Sequence, residues 1–295
     1  MTKKNIRKIK KYFFGYLFIA PAMIGFFVFM AWPMVNGIIM SFKKVGLKGT
    51  SEWVGLDNYT TLISDVHFLK AILNTGYYTL GIILLGVPLA LVLAVILNQK
   101  LRGMTFYRLS YYLPVITMMI AVSVVWKGLL STNNGLINYM ISFLGISNIP
   151  WLTNPKWAMP GLILMSIWKG TGFNMIVFLG ALQNIPKSYY EAATTDGANS
   201  LQKFTNITLP LISPAILFVM ITTTINSFQI FEQAYVLTGG GPQEATTTIV
   251  YYIYQNTFEW FKPGYANAQA TILFAMLLII TGIQFLLQKK WVHYE

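Results

Sequence analysis

The chain has 295 residues, 55% of them hydrophobic and only 10% charged, with a mean hydropathy of +0.57. So few charges exclude an ordinary water-soluble domain and assign a membrane protein. There is no cysteine, which excludes disulfide scaffolds and thiolate chemistry, and the net charge of +12 is dispersed over loops and one tail rather than gathered into a nucleic-acid patch.

In chain order, residues 1–11 form a basic tail, and residues 12–42 then run without a charge. That run is too long for the roughly 7–15-residue core of a cleaved signal, so it is read as a retained signal anchor. Uncharged runs recur at 71–99, 109–126, 204–231 and 263–288, and a sixth, 157–186, is interrupted only by Lys169. A helix needs about 20 apolar residues to cross the hydrocarbon. Six spans are therefore predicted near residues 12–40, 71–97, 109–130, 157–182, 211–237 and 265–288. The short alternating segments of a membrane barrel are absent. The fold class is all-α and polytopic: one membrane domain over 12–295 with no linker or repeat.

Lysine and arginine set the orientation. With the N-terminus inside, the inner side holds thirteen: six before Tyr12, then Lys100, Arg102, Arg108, Lys187, Lys203, Lys289 and Lys290. The outer loops, roughly 43–70, 131–156 and 238–264, together with Lys127 at the outer end of the third span, hold seven, among them Lys43, Lys44 and Lys48. This bias places the protein in the cell membrane with both termini cytoplasmic and the basic tail near anionic lipid. Trp126, Trp151, Trp157 and Trp260 fall at predicted outer boundaries, as an aromatic belt requires. Pro88, Pro114 and Pro160 lie in or near spans, where kinks are tolerated, and Gly239-Gly240-Gly241-Pro242 ends the fifth span.

Between the fourth and fifth spans, residues 183–210 are polar and include SYYEAATTDGANSLQKFTNITLP. Ser188 and Glu191 have the spacing of a capping box that starts a short helix. Gly197 supplies a left-handed closing residue. Ser200 caps a second short helix carrying Leu201, Phe204 and Ile207 on one side, and Leu209-Pro210 ends it. From the residues alone, the stretch is either an amphipathic hairpin on the lipid surface or a rigid docking element carried by two spans.

Polar groups inside a bilayer are expensive and mark candidate sites. Thr222, Asn226, Gln229 and Gln233 fall at i, i+4, i+7 and i+11, one continuous stripe on a helix. Amides that donate and accept, beside Phe228 and Phe231, suit a neutral hydroxyl-rich ligand; the same residues also suit interhelical hydrogen bonding. Lys169 and Glu232 are the charges deepest in predicted spans and are expected to form an intramembrane ion pair. No phosphate-binding loop of the G-x-x-x-x-G-K-[ST] type occurs, His67 and His293 are far apart, and no nucleophile or paired-carboxylate signature appears. No catalytic residue, metal ligand or nucleic-acid partner is therefore assigned.

The spacing Glu191-Ala192-Ala193, Gly197, Ile207 and Leu209-Pro210 resembles the EAA loop of ABC-importer permeases. Ala181 to Pro186, Asp196-Gly197-Ala198, Leu237 to Pro242 and Trp53 to Tyr59 extend the likeness over nearly the whole chain. It resembles the six-span, maltose-type permease subunits of binding-protein-dependent carbohydrate importers. The resemblance implies that residues 183–210 hold a cytoplasmic coupling helix, with Glu191, Ala192, Ala193, Asp196, Gly197, Ile207, Leu209 and Pro210 facing an ATPase. It implies a sugar or polyol path near Ser166, Gly170, Phe173, Asn226 and Ser227, with Ile230 departing from the polar character expected there. It further implies a second homologous permease, two ABC ATPase subunits that hold ATP and Mg, and an extracytoplasmic solute-binding protein received by outer loops that include Asp57 to Tyr59. An ion-coupled secondary transporter using Lys169 and Glu232, and a membrane scaffold docking a soluble partner, are the alternatives.

Overall fold

The computed structural model describes residues 3–45, 50–99 and 103–293, with side chains from Tyr12 onward. The side chains of the basic tail, together with Lys48, Lys100 and Arg102 of the charge count, lie outside the described residues. Four helices are long and apolar enough to cross a membrane, or up to six if each of two bent pairs is one span. The chain divides into two compact units, residues 1–64 with 255–272 and residues 65–254 with 273–295.

In the first unit, helix α1 (Tyr12–Ser41) continues a helical run that begins at Lys3. Its large side chains are exposed on every side, with Phe18 85% and Phe29 78% exposed, the pattern of a helix whose surroundings are hydrocarbon or other chains. A two-stranded hairpin follows, β1 (Lys43–Val45) antiparallel to β2 (Ser51–Trp53), the one departure from all-α character among the described residues. Helix α2 (Asp57–Ser64) comes next. Asn58 Nδ2 donates to the carbonyls of Ser41 at 2.7 Å and Lys43 at 3.1 Å, and the Tyr59 and Ser41 hydroxyls are 2.6 Å apart. Phe42 stacks on Trp53. The Trp53–Tyr59 motif therefore ties down the end of α1, and Asp57 alone of Asp57 to Tyr59 is fully exposed.

The second unit is built on α3 (Val66–Leu97), α4 (Met104–Ile116), α5 (Met119–Leu129), α6 (Leu136–Ser142) and α7 (Pro155–Asn184). It continues with α8 (Lys187–Thr195), α9 (Ser200–Leu211), α10 (Ser213–Phe228), α11 (Glu232–Leu237) and α12 (Ile249–Tyr254). Helix α13 (Pro263–Lys290) starts in the first unit and ends in the second.

Two spans differ from the sequence expectation. The third, expected as one helix over 109–130, is α4 and α5 meeting at 100°. Thr117 and Met118 are both extended, with ψ 147° and 133°, so the helical hydrogen bonds stop there. The fifth, expected over 211–237, bends by 65° between α9 and α10 and breaks again between Phe228 and Glu232. A charge-free run fixes that a segment is apolar, not that its backbone is straight.

Two apolar clusters form the core of this unit. One joins Tyr78, Ile82, Trp126, Leu162, Met165, Ile230 and Leu237; the other joins Val87, Ala94, Met175, Phe178, Leu182, Ile212 and Val219. Helix α7 contributes to both and leaves residues 166–174 between them. Close approach to α4 is possible because residue 172 is glycine: a Cβ there would collide with the Tyr111 carbonyl, a backbone atom no rotamer change can move.

Gly172→Ala is therefore expected to destabilise the purified subunit by about 1–3 kcal/mol, the range for overpacking. Gly180→Ala, on the same helix with nothing within 4 Å, is expected to cost nothing. Thermal melting in detergent checks the difference in sign.

Candidate functional site

A cavity of about 570 Å³ lies in the gap between the two clusters. Its walls are the middle of α7 (Ser166, Lys169, Gly170, Phe173, Asn174), the end of α10 with the start of α11 (Thr223, Asn226, Ser227, Gln229 to Gln233), Tyr78 and Ile82 of α3, and Val115 and Met119 flanking the break in span three. It therefore sits where two helices are interrupted.

Each interruption exposes backbone carbonyls that no helix can satisfy. Lys169, midway along the 30-residue α7, answers the first. Its Nζ donates to the carbonyls of Pro114 at 3.0 Å, Val115 at 3.3 Å and Thr117 at 2.9 Å. A cation at a helix C-terminus also meets the negative end of the helix dipole. The second interruption is held from the loop after α11, where Thr248 Oγ1 donates to the Ile230 carbonyl at 2.9 Å.

That loop is itself fixed to α3. Asn74 Nδ2 donates to the carbonyls of Glu244 at 2.8 Å and Thr247 at 2.9 Å, and Thr75 Oγ1 accepts from the Ile249 N–H at 3.0 Å. Lys70 Nζ donates to the Gln243 carbonyl at 2.6 Å, and His67 Nδ1 lies 2.7 Å from Glu244 Oε1. Gln243 and Glu244 have φ of +51° and +60°, a conformation non-glycine residues rarely adopt. These contacts to α3 hold them in it.

Of the solute-path residues expected from sequence, Ser166, Gly170, Phe173, Asn226, Ser227, Gln229 and Gln233 all line the cavity. Thr222 does not; its hydroxyl donates to the Phe218 carbonyl at 2.8 Å. Thr222 and Asn226 both lie on the unbroken part of α10, which ends at Phe228, and Thr223 is the threonine that lines the cavity. Thr223 accepts from Asn174 Nδ2 at 3.4 Å. Asn174 was missed, although Ser166, Gly170 and Asn174 at i, i+4 and i+8 carry the same helical signal as the stripe on span five. Tyr78 carried no such signal.

Lys169 and Glu232 both line the cavity, but the expected ion pair between them is not formed. Among the described residues the ion pairs are His67–Glu244 and Lys70–Glu244. The lysine is instead occupied by backbone oxygens, which no charge-matching of side chains can anticipate. Among the described residues no group of three His, Asp or Glu is placed to hold a metal ion.

The polar insert is a compact hairpin of α8 and α9. Helix α8 starts one residue before Ser188, after Pro186 and without a side-chain cap, so the Ser188–Glu191 capping box is not formed. The box is at α9 instead, one residue before Ser200: Asn199 Oδ1 accepts from Gln202 N–H at 2.9 Å, and Gln202 Oε1 accepts from Asn199 N–H at 2.8 Å. Gly197 has φ +79°, and the bonds Ala198 N to Ala193 O and Gly197 N to Thr194 O close α8 in a Schellman turn. Pro210 does not end α9, which continues to Leu211 and bends at Ile212. Lys203 Nζ to Thr194 Oγ1 (2.8 Å) and Tyr190 OH to Thr208 Oγ1 (2.9 Å) tie the two arms together. Glu191, Ala192, Asp196 and Gly197 are exposed, and Ala193, Asp196, Gly197 and Ile207 are among the residues around a shallow hollow of about 380 Å³.

Residues 70–293 match the family of binding-protein-dependent transport system inner membrane components. The chain is 39% identical over 298 residues to the probable ABC transporter permease protein YesP of Bacillus subtilis, covering 99% of this chain and 96% of that one. It is 36% identical to the lactose transport system permease protein LacF of Rhizobium radiobacter, covering 97% of each. A chain of the crystal structure of a bacterial ABC transporter involved in import of the acidic polysaccharide alginate superposes with a TM-score of 0.85 at 28% identity, covering 98% of this chain and 99% of that chain.

Removing the Lys169 ammonium leaves three carbonyls without their donor. Lys169→Met is expected to lower stability by at least about 1–3 kcal/mol, the cost of one buried unmet group, whereas Glu232→Gln leaves those bonds intact. Melting of both purified variants in detergent checks this; an equal loss in the two would restore the ion pair.

Proposed function

The chain belongs to the family of binding-protein-dependent transport system inner membrane components, and from that membership we propose that its central cavity is a station on the path of a sugar or a related hydroxyl-rich solute. The protein is a permease subunit of an ABC importer, a transport component rather than an enzyme. Relatives named for lactose and arabino-oligosaccharide transport support the sugar reading, and one named for sn-glycerol-3-phosphate transport supports the wider class of hydroxyl-bearing solutes.

The observation that carries the assignment is the chemistry of the cavity wall. Asn174, Asn226, Gln229 and Gln233 offer amides, Ser166 and Ser227 offer hydroxyls, and Phe173 and Phe231 offer ring faces. Lys169 spends its ammonium on carbonyls. That set suits neutral hydroxyls, which both donate and accept.

Residues 188–210 serve on this reading as the coupling element, with Glu191, Ala192, Ala193, Asp196, Gly197, Ile207, Leu209 and Pro210 meeting an ATPase. The hairpin's exposure and internal cross-links support that role. Two ABC ATPase subunits supply ATP and Mg chemistry, a second homologous permease completes the pore, and an extracytoplasmic solute-binding protein delivers the solute. The alginate transporter, solved in complex with a pentasaccharide-bound periplasmic protein, supports the last partner. The lysine and arginine bias supports cytoplasmic termini. ATP binding and hydrolysis then alternate the cavity between two arrangements with different solute affinity.

Two substitutions separate the parts of this reading in proteoliposomes holding the assembled transporter, assayed with lactose and arabino-oligosaccharides. Asn226→Leu is expected to weaken solute use about 2–10-fold, the worth of one hydrogen bond, while ATP hydrolysis remains coupled; unchanged kinetics would leave Asn226 as interhelical packing. Gly197→Val forces a β-branched residue into a left-handed turn. It is expected to abolish solute-stimulated ATP hydrolysis in normally inserted protein, and full transport by that variant would remove the coupling role.

A further inference from the structure

Between Lys127 and Lys156 the chain carries no charged residue, yet residues 131–151 form an ordered outer segment. Its order comes from Asn138, which is 2% exposed. Asn138 Nδ2 donates to the carbonyls of Thr132 and Ile149, each at 2.9 Å. Its Oδ1 accepts from the Ile149 N–H at 3.2 Å and Trp151 Nε1 at 2.9 Å. Ile137 packs on the outer apolar cluster, and Gly145, with φ +74°, closes α6. One side of the short helix is thus fastened to the body.

The other side is apolar and uncovered. Tyr139, Met140, Phe143 and Leu144 are 58–76% exposed, with Leu136 beside them. Leaving such side chains in water forfeits roughly 1.5–3 kcal/mol each relative to burial, and contiguous exposure of this kind marks an interaction surface. Tyr139 and Phe143 pack edge to face at 5.0 Å, so the face is a preformed ridge.

We propose that this ridge lies in the outer lipid interface, with α6 flat in the membrane plane and its aromatic side immersed among acyl chains. Three observations select lipid over a protein partner. The segment is flanked by span ends, Leu129 of α5 and Pro155 of α7, and the Trp151–Trp157 pair at its return belongs to the aromatic belt, so both its ends stand at interface level. Its polar groups, Asn133, Asn134 and Asn148, are exposed and uncharged and border a hollow that Leu136 and Tyr139 also line, so no charge has to be brought to the hydrocarbon edge when the ridge sinks into it. Aromatic and aliphatic groups beside neutral hydrogen-bonding groups match the mixed chemistry of the headgroup boundary. The segment is then a membrane anchor and is withdrawn from the outer surfaces available to a solute-binding protein.

The absence of cysteine makes the test direct. Single Phe143→Cys and Asn133→Cys variants, carrying a nitroxide label, are assembled into transporter in phosphatidylcholine liposomes after melting in detergent has shown them folded like the parent. Power saturation compares collisions with oxygen, which partitions into lipid, and with a water-soluble nickel chelate. The expected result is oxygen dominant at 143 and nickel dominant at 133. Nickel dominance at 143 would place the ridge in water, and exclusion of both reagents there would place it against protein; either result overturns the proposal. The readout does not depend on which solute is carried.

Discussion

A helix that stops inside a bilayer must have its last carbonyls met, and the rest of the second unit is arranged around meeting them. Each unsatisfied backbone group in hydrocarbon costs several kcal/mol. Placing a lysine at the bilayer centre costs about 2.5–3.5 kcal/mol on insertion scales. Alone, each is a liability. Together, the Lys169 ammonium and the carbonyls of Pro114, Val115 and Thr117 offset one another through three charge-assisted bonds. This permits span three to turn by 100° between α4 and α5. The turn in turn leaves the space that becomes the cavity.

The cavity is therefore a by-product of backbone geometry before it is a property of side chains. Apolar packing fills the layers above and below, through the cluster around Leu162 and the cluster around Phe178. Between them, residues 166–174 of α7 face two broken helices and cannot be covered in the same way. Polar side chains there are tolerated because the interruptions already bring oxygen and nitrogen to that depth. Gly172 brings α7 against α4 closely enough for Lys169 to reach the break, so packing and capping depend on each other.

Much of this was legible in the sequence, and what escaped has a common cause. Charge-free runs located the apolar segments because excluding charge from hydrocarbon is a one-dimensional rule. Gly197 was legible because a positive φ is a local demand. Seven of the cavity-lining residues, Ser166, Gly170, Phe173, Asn226, Ser227, Gln229 and Gln233, were legible through helical spacing and the resemblance of the segments flanking the EAA loop. The breaks at Thr117 and Phe228 were not, because nothing in LPVITMM or INSFQIFEQ distinguishes a bend from a kinked helix. The partner of Lys169 was misassigned because opposite side-chain charges can be counted and free carbonyls cannot. The cap of α9 was displaced by one residue, since Asn199 and Ser200 are adjacent and both are good caps, whereas α8 starts after Pro186 with no side-chain cap at all.

The same connections decide how a push on the hairpin would travel. Helix α8 joins the 30-residue α7 through Ile185 and Pro186, so the two have almost no slack between them. Helix α9 joins α10 through a 65° bend at Ile212, which is buried and hydrogen-bonded on both sides, so a push enters span five at an angle to its axis. A displacement of α7 carries Lys169, and Lys169 carries the end of α4 by its carbonyls. At the far side, Thr248 holds the Ile230 carbonyl, while the loop behind it is fastened to α3. On the proposed coupling role, the cavity wall is therefore gripped at two points, through Lys169 and through Thr248, by hydrogen bonds to backbone oxygen. Backbone grips of this kind move helix ends rather than single side chains, which is the scale of motion that opening one side of a path and closing the other requires.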